Sequence, residues 1–124
     1  MNARVLIADD ASFMRQMIRE IIEPEGFEVV GEATDGVEAV EQYEQLRPDI
    51  VTMDIVMPKR SGIDAVKRIL ERAPDACVVM CSALGQETLV MEALQAGAKD
   101  FIVKPFKPTH VIDVLQKLLE KHEG

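Results

Sequence analysis

The chain has 124 residues, the size of one ordinary domain, and 48% of them are hydrophobic, which is enough to form a core and argues against general disorder. The formal net charge of −8 argues against non-specific binding to nucleic acids and to anionic membranes, because both interactions need a basic surface. No apolar stretch approaches the roughly 20 residues of a membrane-spanning helix and the N-terminal residues show no signal-peptide pattern, so we expect a cytoplasmic protein.

Short apolar runs alternate with helical patterns along the chain. The runs predict strands at residues 4–8, 27–32, 49–53, 77–81 and 100–103. After the first run, apolar residues recur at helical spacing, at Met14, Met17, Ile18 and Ile21. The charges within residues 27–32 place the second strand at the edge of the sheet.

Capping and turn residues set the limits of the predicted helices. Either Thr34 or Asp35 can cap the second helix, and Ser61 can cap the third. Gly97 marks the end of the fourth helix, and Pro108 marks the start of the last. Five successive βα units predict an α/β fold, with a parallel sheet, helices on both faces and right-handed crossovers.

Both cysteines of the chain, Cys77 and Cys81, fall in one predicted strand. At the rise of a strand, their spacing separates them by about 13 Å, which is too far for a disulfide bond. We interpret both as reduced, buried, small apolar side chains of a cytosolic protein.

Polar residues stand just past the ends of four predicted strands. Asp9 and Asp10 follow the first, Asp54 the third, Ser82 the fourth and Lys104 the fifth. The carboxyl ends of parallel strands meet in one crevice, where open α/β sheets bind their ligands. Three carboxylates do not share a small site as bare anions, and a hard divalent cation such as Mg²⁺ is the usual resolution. An adjacent lysine then needs an anionic partner, so the set indicates phosphoryl chemistry.

Four segments resemble the receiver domain of bacterial two-component response regulators, specifically the stand-alone chemotaxis type. They are VLIADDASFMRQMI at residues 5–18, DIVTMDIVMPKRSGIDAVKRI at 49–69, CSALG at 81–85 and AGAKDFIVKPF at 96–106. The resemblance covers essentially the whole chain. It implies a single receiver domain at residues 1–124, with a flavodoxin-like (βα)5 three-layer sandwich and the strand order 2-1-3-4-5.

The resemblance also implies roles for the acidic residues. Asp54 matches the phosphoacceptor, which forms an aspartyl phosphate. Asp10 matches the direct Mg²⁺ ligand, and Asp9 matches the acid that binds the metal partly through water. Val56 matches the position whose backbone carbonyl coordinates the metal. The implied metal ligands are therefore Asp9, Asp10, Asp54 and the carbonyl of Val56.

Three further positions match residues that contact or adjoin the phosphoryl group in the family. Ser82 matches the switch hydroxyl, and Lys104 matches the lysine that pairs with the phosphoryl oxygens. Pro105 matches a proline whose preceding peptide bond is usually cis, an isomer found almost only before proline.

The expected partner surface departs from the family at one position. Phe101 stands where many relatives have a tyrosine that turns inward on activation; a phenylalanine ring can still turn, but it has no hydroxyl. We expect Leu84, Leu89 and Met91 to form an exposed apolar patch with Phe101, and such patches mark partner sites.

The resemblance implies a monomeric switch rather than an enzyme, with only self-phosphorylation from donors and slow self-dephosphorylation. Its implied partners are a chemotaxis-type histidine kinase, the flagellar motor switch protein and a dedicated phosphatase. Two alternatives stay open: a phosphorelay carrier, and the receiver half of a larger regulator such as the chemotaxis methylesterase. A Mg²⁺-dependent phosphatase with an aspartate nucleophile fits less well, because such enzymes usually carry a second aspartate where Val56 stands.

Overall fold

The computed structural model describes residues 3–123 and contains one sheet of five parallel strands. The strands are β1 (Arg4–Ala8), β2 (Glu28–Ala33), β3 (Ile50–Asp54), β4 (Val78–Ser82) and β5 (Asp100–Val103). The helices are α1 (Ser12–Ile22), α2 (Gly36–Leu46), α3 (Gly62–Arg72), α4 (Glu87–Ala96) and α5 (Pro108–Glu123), with a short 3-10 turn at Glu23–Glu25. The strand order is 2-1-3-4-5, which confirms the predicted flavodoxin-like (βα)5 fold.

The alternation of side chains along each strand divides the core into two layers. Along β1, Leu6 and Ala8 pack on one face of the sheet, in a cluster that includes buried residues of α2, α3 and α4. Val5 and Ile7 pack on the other face, with buried residues of α1 and α5. Helices therefore cover both faces of the sheet, as parallel strands with apolar residues on both sides require.

The helix limits agree with the capping residues seen in the sequence. Asp35 accepts a hydrogen bond from the backbone N–H of Glu38 at 2.8 Å and caps α2. Ser61 accepts one from the backbone N–H of Asp64 at 3.2 Å and caps α3. Gly97 ends α4 in the left-handed region, with φ of 118°, and Pro108 is the first residue of α5.

Three strands begin and end one residue later than the sequence predicts: β2, β3 and β4. Asp54 pairs with Cys81 in the ladder between β3 and β4, and Ser82 pairs with Val103 in the ladder between β4 and β5. Asp54 and Ser82 are therefore the last residues of their strands rather than the first residues after them. Pairing with a neighbouring strand extends each strand by one residue.

The two cysteines are free and buried on the same face of the sheet, as predicted. Burial raises the pKa of the Cys77 thiol to about 11, which keeps it protonated at neutral pH. Among the described helices, none is both long and apolar enough to cross a membrane.

Candidate functional site

The sheet topology brings the predicted acidic residues together at the carboxyl ends of β1 and β3. These two strands are neighbours, with Ala8 opposite Met53, so that Asp9 and Asp54 continue them side by side. Asp10 follows in the loop before α1. One carboxylate oxygen from each of Asp9, Asp10 and Asp54 lies within 4.8 Å of the others. The three acids therefore form one cluster, as the sequence predicted.

Asp9 is the most firmly held of the three acids, and only 1% of its surface is exposed. Its backbone N–H donates to the carbonyl of Ala33 at 3.0 Å. One carboxylate oxygen accepts a hydrogen bond from the N–H of Ala11 at 2.9 Å, and the other lies 3.2 Å from the Lys104 ammonium. Asp10 is exposed, so the cluster opens to solvent on its side.

Lys104 lies just past the end of a third strand, β5, and contacts the acidic residues at the ends of both β1 and β3. It directly follows β5, and its Nζ lies 3.2 Å from Oδ2 of Asp9 and 3.2 Å from Oδ1 of Asp54. Burial opposes the charge on Lys104, but the two carboxylates outweigh this effect and raise the pKa of the ammonium. Lys104 therefore stays protonated at neutral pH.

Asp54 remains short of positive charge despite this contact. Burial and the neighbouring Asp9 carboxylate raise its pKa to about 6, against the lowering effect of Lys104. Three carboxylates around one ammonium leave an excess of two negative charges when all are ionised. A divalent cation would neutralise this excess.

The donor set of the cluster fits Mg²⁺. All of the donors are oxygens, which hard cations prefer, and the exposure of Asp10 leaves room for the water ligands that Mg²⁺ retains. Val56 lies in the loop between β3 and α3, two residues past Asp54, and its side chain is 58% exposed. Its apolar side chain offers no ligand atom, so only its backbone carbonyl is available to a metal.

Ser82 lies at the end of β4, beside the end of β5, which Lys104 directly follows. Its side chain is buried, and its carbonyl accepts a hydrogen bond from the backbone N–H of Lys104 at 2.7 Å. The peptide bond between Lys104 and Pro105 is cis. The hydrogen bond between Ser82 and Lys104 holds the ends of β4 and β5 together beside the acidic cluster.

An apolar cavity of about 250 Å³ lies next to Ser82, between α4 and β5. Its lining includes the exposed side chains of Leu84, Met91 and Phe101. Leu89, which the sequence predicted in the same patch, is half-buried and packs against the core cluster that α4 shares with α2 and α3. The exposed patch therefore consists of Leu84, Met91 and Phe101, because helix α4 turns Leu89 away from it.

Two residues that adjoin the site were not singled out in the sequence. The guanidinium of Arg15 donates to the backbone carbonyl of Asp9 at 2.7 Å, and Gly62 packs directly against the backbone of Asp54. Arg15 could have been noticed because it places a positive charge in the first turn of α1, where the sequence has no acidic residue to compensate it. Gly62 could have been noticed because a glycine directly after the Ser61 cap indicates a close approach of another backbone.

The chain is similar to known proteins over almost its whole length. The family of the response regulator receiver domain matches residues 5–116. The chemotaxis protein CheY of Thermotoga maritima is 58% identical over 118 residues, which cover 95% of this chain and 98% of that protein. The chemotaxis protein CheY of Bacillus subtilis is 53% identical over 119 residues, which cover 96% of this chain and 99% of that protein.

The fold also has a close counterpart among solved structures. A chain in the crystal structure of the CheX–CheY–BeF3–Mg²⁺ complex from Borrelia burgdorferi superposes with a TM-score of 0.90 at 42% sequence identity. The match covers 94% of this chain and 89% of that chain. Together with the arrangement of the acidic cluster, these similarities show that the chain belongs to the response regulator receiver domain family.

Proposed function

We propose that this protein is a phosphorylation-activated response regulator of a chemotaxis system and that Asp54 is its phosphoacceptor. The observation that supports this assignment best is the position of Lys104, whose ammonium lies 3.2 Å from Asp54 and from Asp9 within a cluster of three carboxylates. A phosphoryl group on Asp54 would find a cation beside it. The similarity to chemotaxis proteins supports the pathway.

The proposed reaction uses the Asp54 carboxylate as a nucleophile. A carboxylate oxygen attacks the phosphorus of a phosphohistidine on the kinase, so that an O–P bond forms, the P–N bond breaks and the imidazole leaves with the bonding electron pair. With a pKa of about 6, Asp54 is mainly ionised at neutral pH, and its attacking lone pair is free. The attacking oxygen is held at a fixed position at the end of β3, which lowers the entropic cost of reaction.

Mg²⁺, held by Asp9, Asp10, Asp54 and the carbonyl of Val56, would supply charge neutralisation for the transferring phosphoryl group. Lys104 pairs with a second face of that group as a point charge, and the Ser82 hydroxyl donates a hydrogen bond to it. Asp9 orients the ammonium of Lys104 before the reaction through its 3.2 Å contact.

Phosphorylation would change the partner surface through Ser82 and Lys104. The phosphoryl group carries about −1.5 to −2 charges in place of the single negative charge of the Asp54 carboxylate, and it draws both donors toward Asp54. Ser82 also lines the cavity beside Phe101, whose surface is 36% exposed. Movement of Ser82 would open space for the Phe101 ring and bias an existing equilibrium toward its inward rotamer.

The assignment of Asp54 is tested by intact-protein mass after incubation with acetyl phosphate, with and without Mg²⁺. Wild type should gain one labile phosphate only when Mg²⁺ is present, and Asp54→Asn should gain none. Asp64→Asn is the matched control, because Asp64 is an exposed carboxylate at the start of α3 that pairs only with Arg60 among the described residues. A phosphate adduct on Asp54→Asn at the wild-type level would overturn the assignment.

We propose that the patch formed by Leu84, Met91 and Phe101 binds the flagellar motor switch protein when Asp54 is phosphorylated. Met91→Glu should leave the rate of phosphorylation unchanged and weaken this binding, because a charge would be buried in an apolar contact. Met17→Glu is the control, since Met17 is an exposed methionine on α1, on the opposite face of the sheet. Binding by phosphorylated protein can be measured against the motor switch protein by titration; equal weakening by both variants would argue against the patch.

A further inference from the structure

Arg15 connects the edge of the sheet to the acidic loop. It lies in the first turn of α1, and 15% of its side-chain surface is exposed. One guanidinium nitrogen donates to the backbone carbonyl of Asp9 at 2.7 Å, and Nε donates to Oε1 of Glu32 at 2.8 Å. Glu32 belongs to the edge strand β2, so Arg15 bridges two separate elements.

The position of Arg15 is unfavourable for the helix itself. A positive charge near a helix N-terminus opposes the helix dipole, and α1 has no acidic residue in its first turn to compensate. The N-cap position, Ala11, also has no side chain that can cap the helix. The contacts of Arg15 with Asp9 and Glu32 therefore account for its location, and local helix stability does not.

Glu32 is itself anchored by a second arginine. Oε2 of Glu32 accepts a hydrogen bond from Arg19 at 2.6 Å, and Arg19 also contacts Glu23 at 3.0 Å. The hydrogen bond from Arg19, followed by that from Arg15, lowers the pKa of Glu32 despite some burial, so this carboxylate stays ionised at neutral pH. Arg15 therefore pairs with a carboxylate, that of Glu32, which is itself held in place by Arg19.

The contact with Asp9 controls the peptide group between Asp9 and Asp10. The carbonyl of this peptide, which belongs to Asp9, accepts the hydrogen bond from Arg15, and the N–H of Asp9, in the preceding peptide, donates to the carbonyl of Ala33. Asp10 is exposed, and within residues 3–123 its carboxylate makes no side-chain hydrogen bond that would place it. The direction in which Asp10 points therefore depends on the orientation of this peptide.

We propose that Arg15 is a positioning residue for the metal-binding carboxylates, because it fixes the peptide that carries Asp10 by bridging Glu32 to the Asp9 carbonyl. Arg15 touches neither the metal nor the phosphoryl group in this role. The inference rests on the proposed function, since it assumes that the carboxylates of Asp9, Asp10 and Asp54 bind Mg²⁺. The guanidinium of Arg15 is planar and carries donors in a fixed arrangement, which suits a bridge between the Glu32 carboxylate and the Asp9 carbonyl.

The test compares Arg15→Met with Arg19→Met. Each variant removes one arginine from Glu32, but only Arg15 touches Asp9. Two NMR readouts are used: amide hydrogen exchange at Asp9 and Ala11 in metal-free protein, and Mg²⁺ affinity from amide shifts during a titration with MgCl2. In Arg15→Met we expect faster exchange at both amides and Mg²⁺ binding roughly tenfold weaker, in the range seen when groups that orient metal ligands are removed. Arg19→Met keeps the contacts of Arg15 with Glu32 and Asp9 but removes one anchor of Glu32, so we expect clearly smaller changes in both readouts than in Arg15→Met.

Wild-type exchange and affinity in Arg15→Met would overturn the proposal, as would equal losses in both variants, because equal losses would mean that the Glu32 ion pairs act only on overall stability. Should Arg15→Met fail to fold, Arg15→Lys keeps the positive charge without the planar bridge, and smaller losses in the same direction are expected; wild-type values in that variant would also overturn the proposal.

The proposed function can fail separately from this inference. If wild-type protein bound no Mg²⁺ and took no phosphate, the proposed function would be wrong. The exchange rates of the metal-free protein would still decide whether Arg15 holds the Asp9–Asp10 peptide.

Discussion

A β-carbon on Gly62 would lie 1.9 Å from the carbonyl oxygen of Asp54. Side-chain β-carbons essentially never approach a heavy atom of a residue elsewhere in the chain closer than 3.0 Å. The N–H of Gly62 also donates to the carbonyl of Ile55 at 2.8 Å, so that the start of α3 rests directly on the end of β3. The position of Asp54 therefore depends on the absence of a side chain at Gly62.

Gly62→Ala should consequently displace Asp54 and slow its phosphorylation by acetyl phosphate. A shift of about 1 Å in a reacting group can cost on the order of 100-fold in rate, and we expect a loss of at least roughly tenfold. Gly31→Ala is the control, because its β-carbon would meet the ends of the Gln42 and Leu46 side chains, which can move. Unchanged phosphorylation in Gly62→Ala would show that α3 adjusts without moving the site.

The sequence predicted the fold because each strand and helix carries its own local signal. Alternating apolar runs and helical stripes predicted five βα units, and the charges of β2 placed it correctly at the edge. The ends of β3 and β4 were predicted one residue too early. Whether Asp54 continues a strand depends on its pairing with Cys81, which is a long-range contact that local periodicity does not contain.

The meeting of the site residues was predictable for a topological reason. Parallel strands bring their carboxyl ends to one edge of the sheet, which placed Asp9, Asp54 and Lys104 in one crevice, and the strand order implied by the family resemblance placed Asp9 beside Asp54. The bridge from Arg15 to Glu32 was not predictable in this way, since it depends on how α1 packs beside β2. The placement of Leu89 was wrong for a similar reason, because the rotation of α4 about its axis is set by packing.

Thr52 is buried in the middle of β3, and its hydroxyl has no hydrogen-bond partner within the part of the chain that the structure describes. An unpaired buried polar group costs about 1–3 kcal/mol. Thr52→Val should therefore raise the free energy of unfolding by about 1 kcal/mol, as measured by urea denaturation. The exposed Thr88→Val should change it by less than about 0.5 kcal/mol. A less stable Thr52→Val would mean that a bound water pairs with the hydroxyl.

Lys104 supplies the cation that makes contact with both Asp9 and Asp54. The substitution Lys104→Met would leave these two buried carboxylates without a cation beside them. The Lys104 side chain is 21% exposed, so solvent reduces the cost of this loss. We expect metal-free Lys104→Met to lose about 2 kcal/mol of stability at pH 7, below the 3–5 kcal/mol typical of a fully buried broken pair. The exposed Lys67→Met is the control. Added MgCl2 should restore part of the loss, because the metal neutralises the same carboxylates; a loss that Mg²⁺ leaves unchanged would argue against a shared site.

The raised pKa of Asp54 predicts an unusual dependence of stability on pH. Its pKa is about 6 in the folded protein and has an ordinary value of 3.8, so between these pH values the folded state holds more protons than the unfolded state. Stability from this group is therefore present below about pH 4 and is lost as the pH rises to about 6. The difference corresponds to about 3 kcal/mol.

Metal-free Asp54→Asn should thus be more stable than wild type at pH 7, by up to about 3 kcal/mol, and nearly equal to it at pH 4. Urea denaturation of both proteins at the two pH values measures this difference. Other acids such as Glu32 contribute equally to the stability of both proteins, so their contributions cancel in the comparison. Asp64→Asn should show no such gain, because no comparable burial acts on that exposed carboxylate. Mg²⁺ at pH 7 should stabilise wild type more than Asp54→Asn, since the metal relieves the repulsion that the substitution removes. If the two proteins kept the same difference at both pH values, the carboxylate of Asp54 would not be under the electrostatic strain that burial and Asp9 impose.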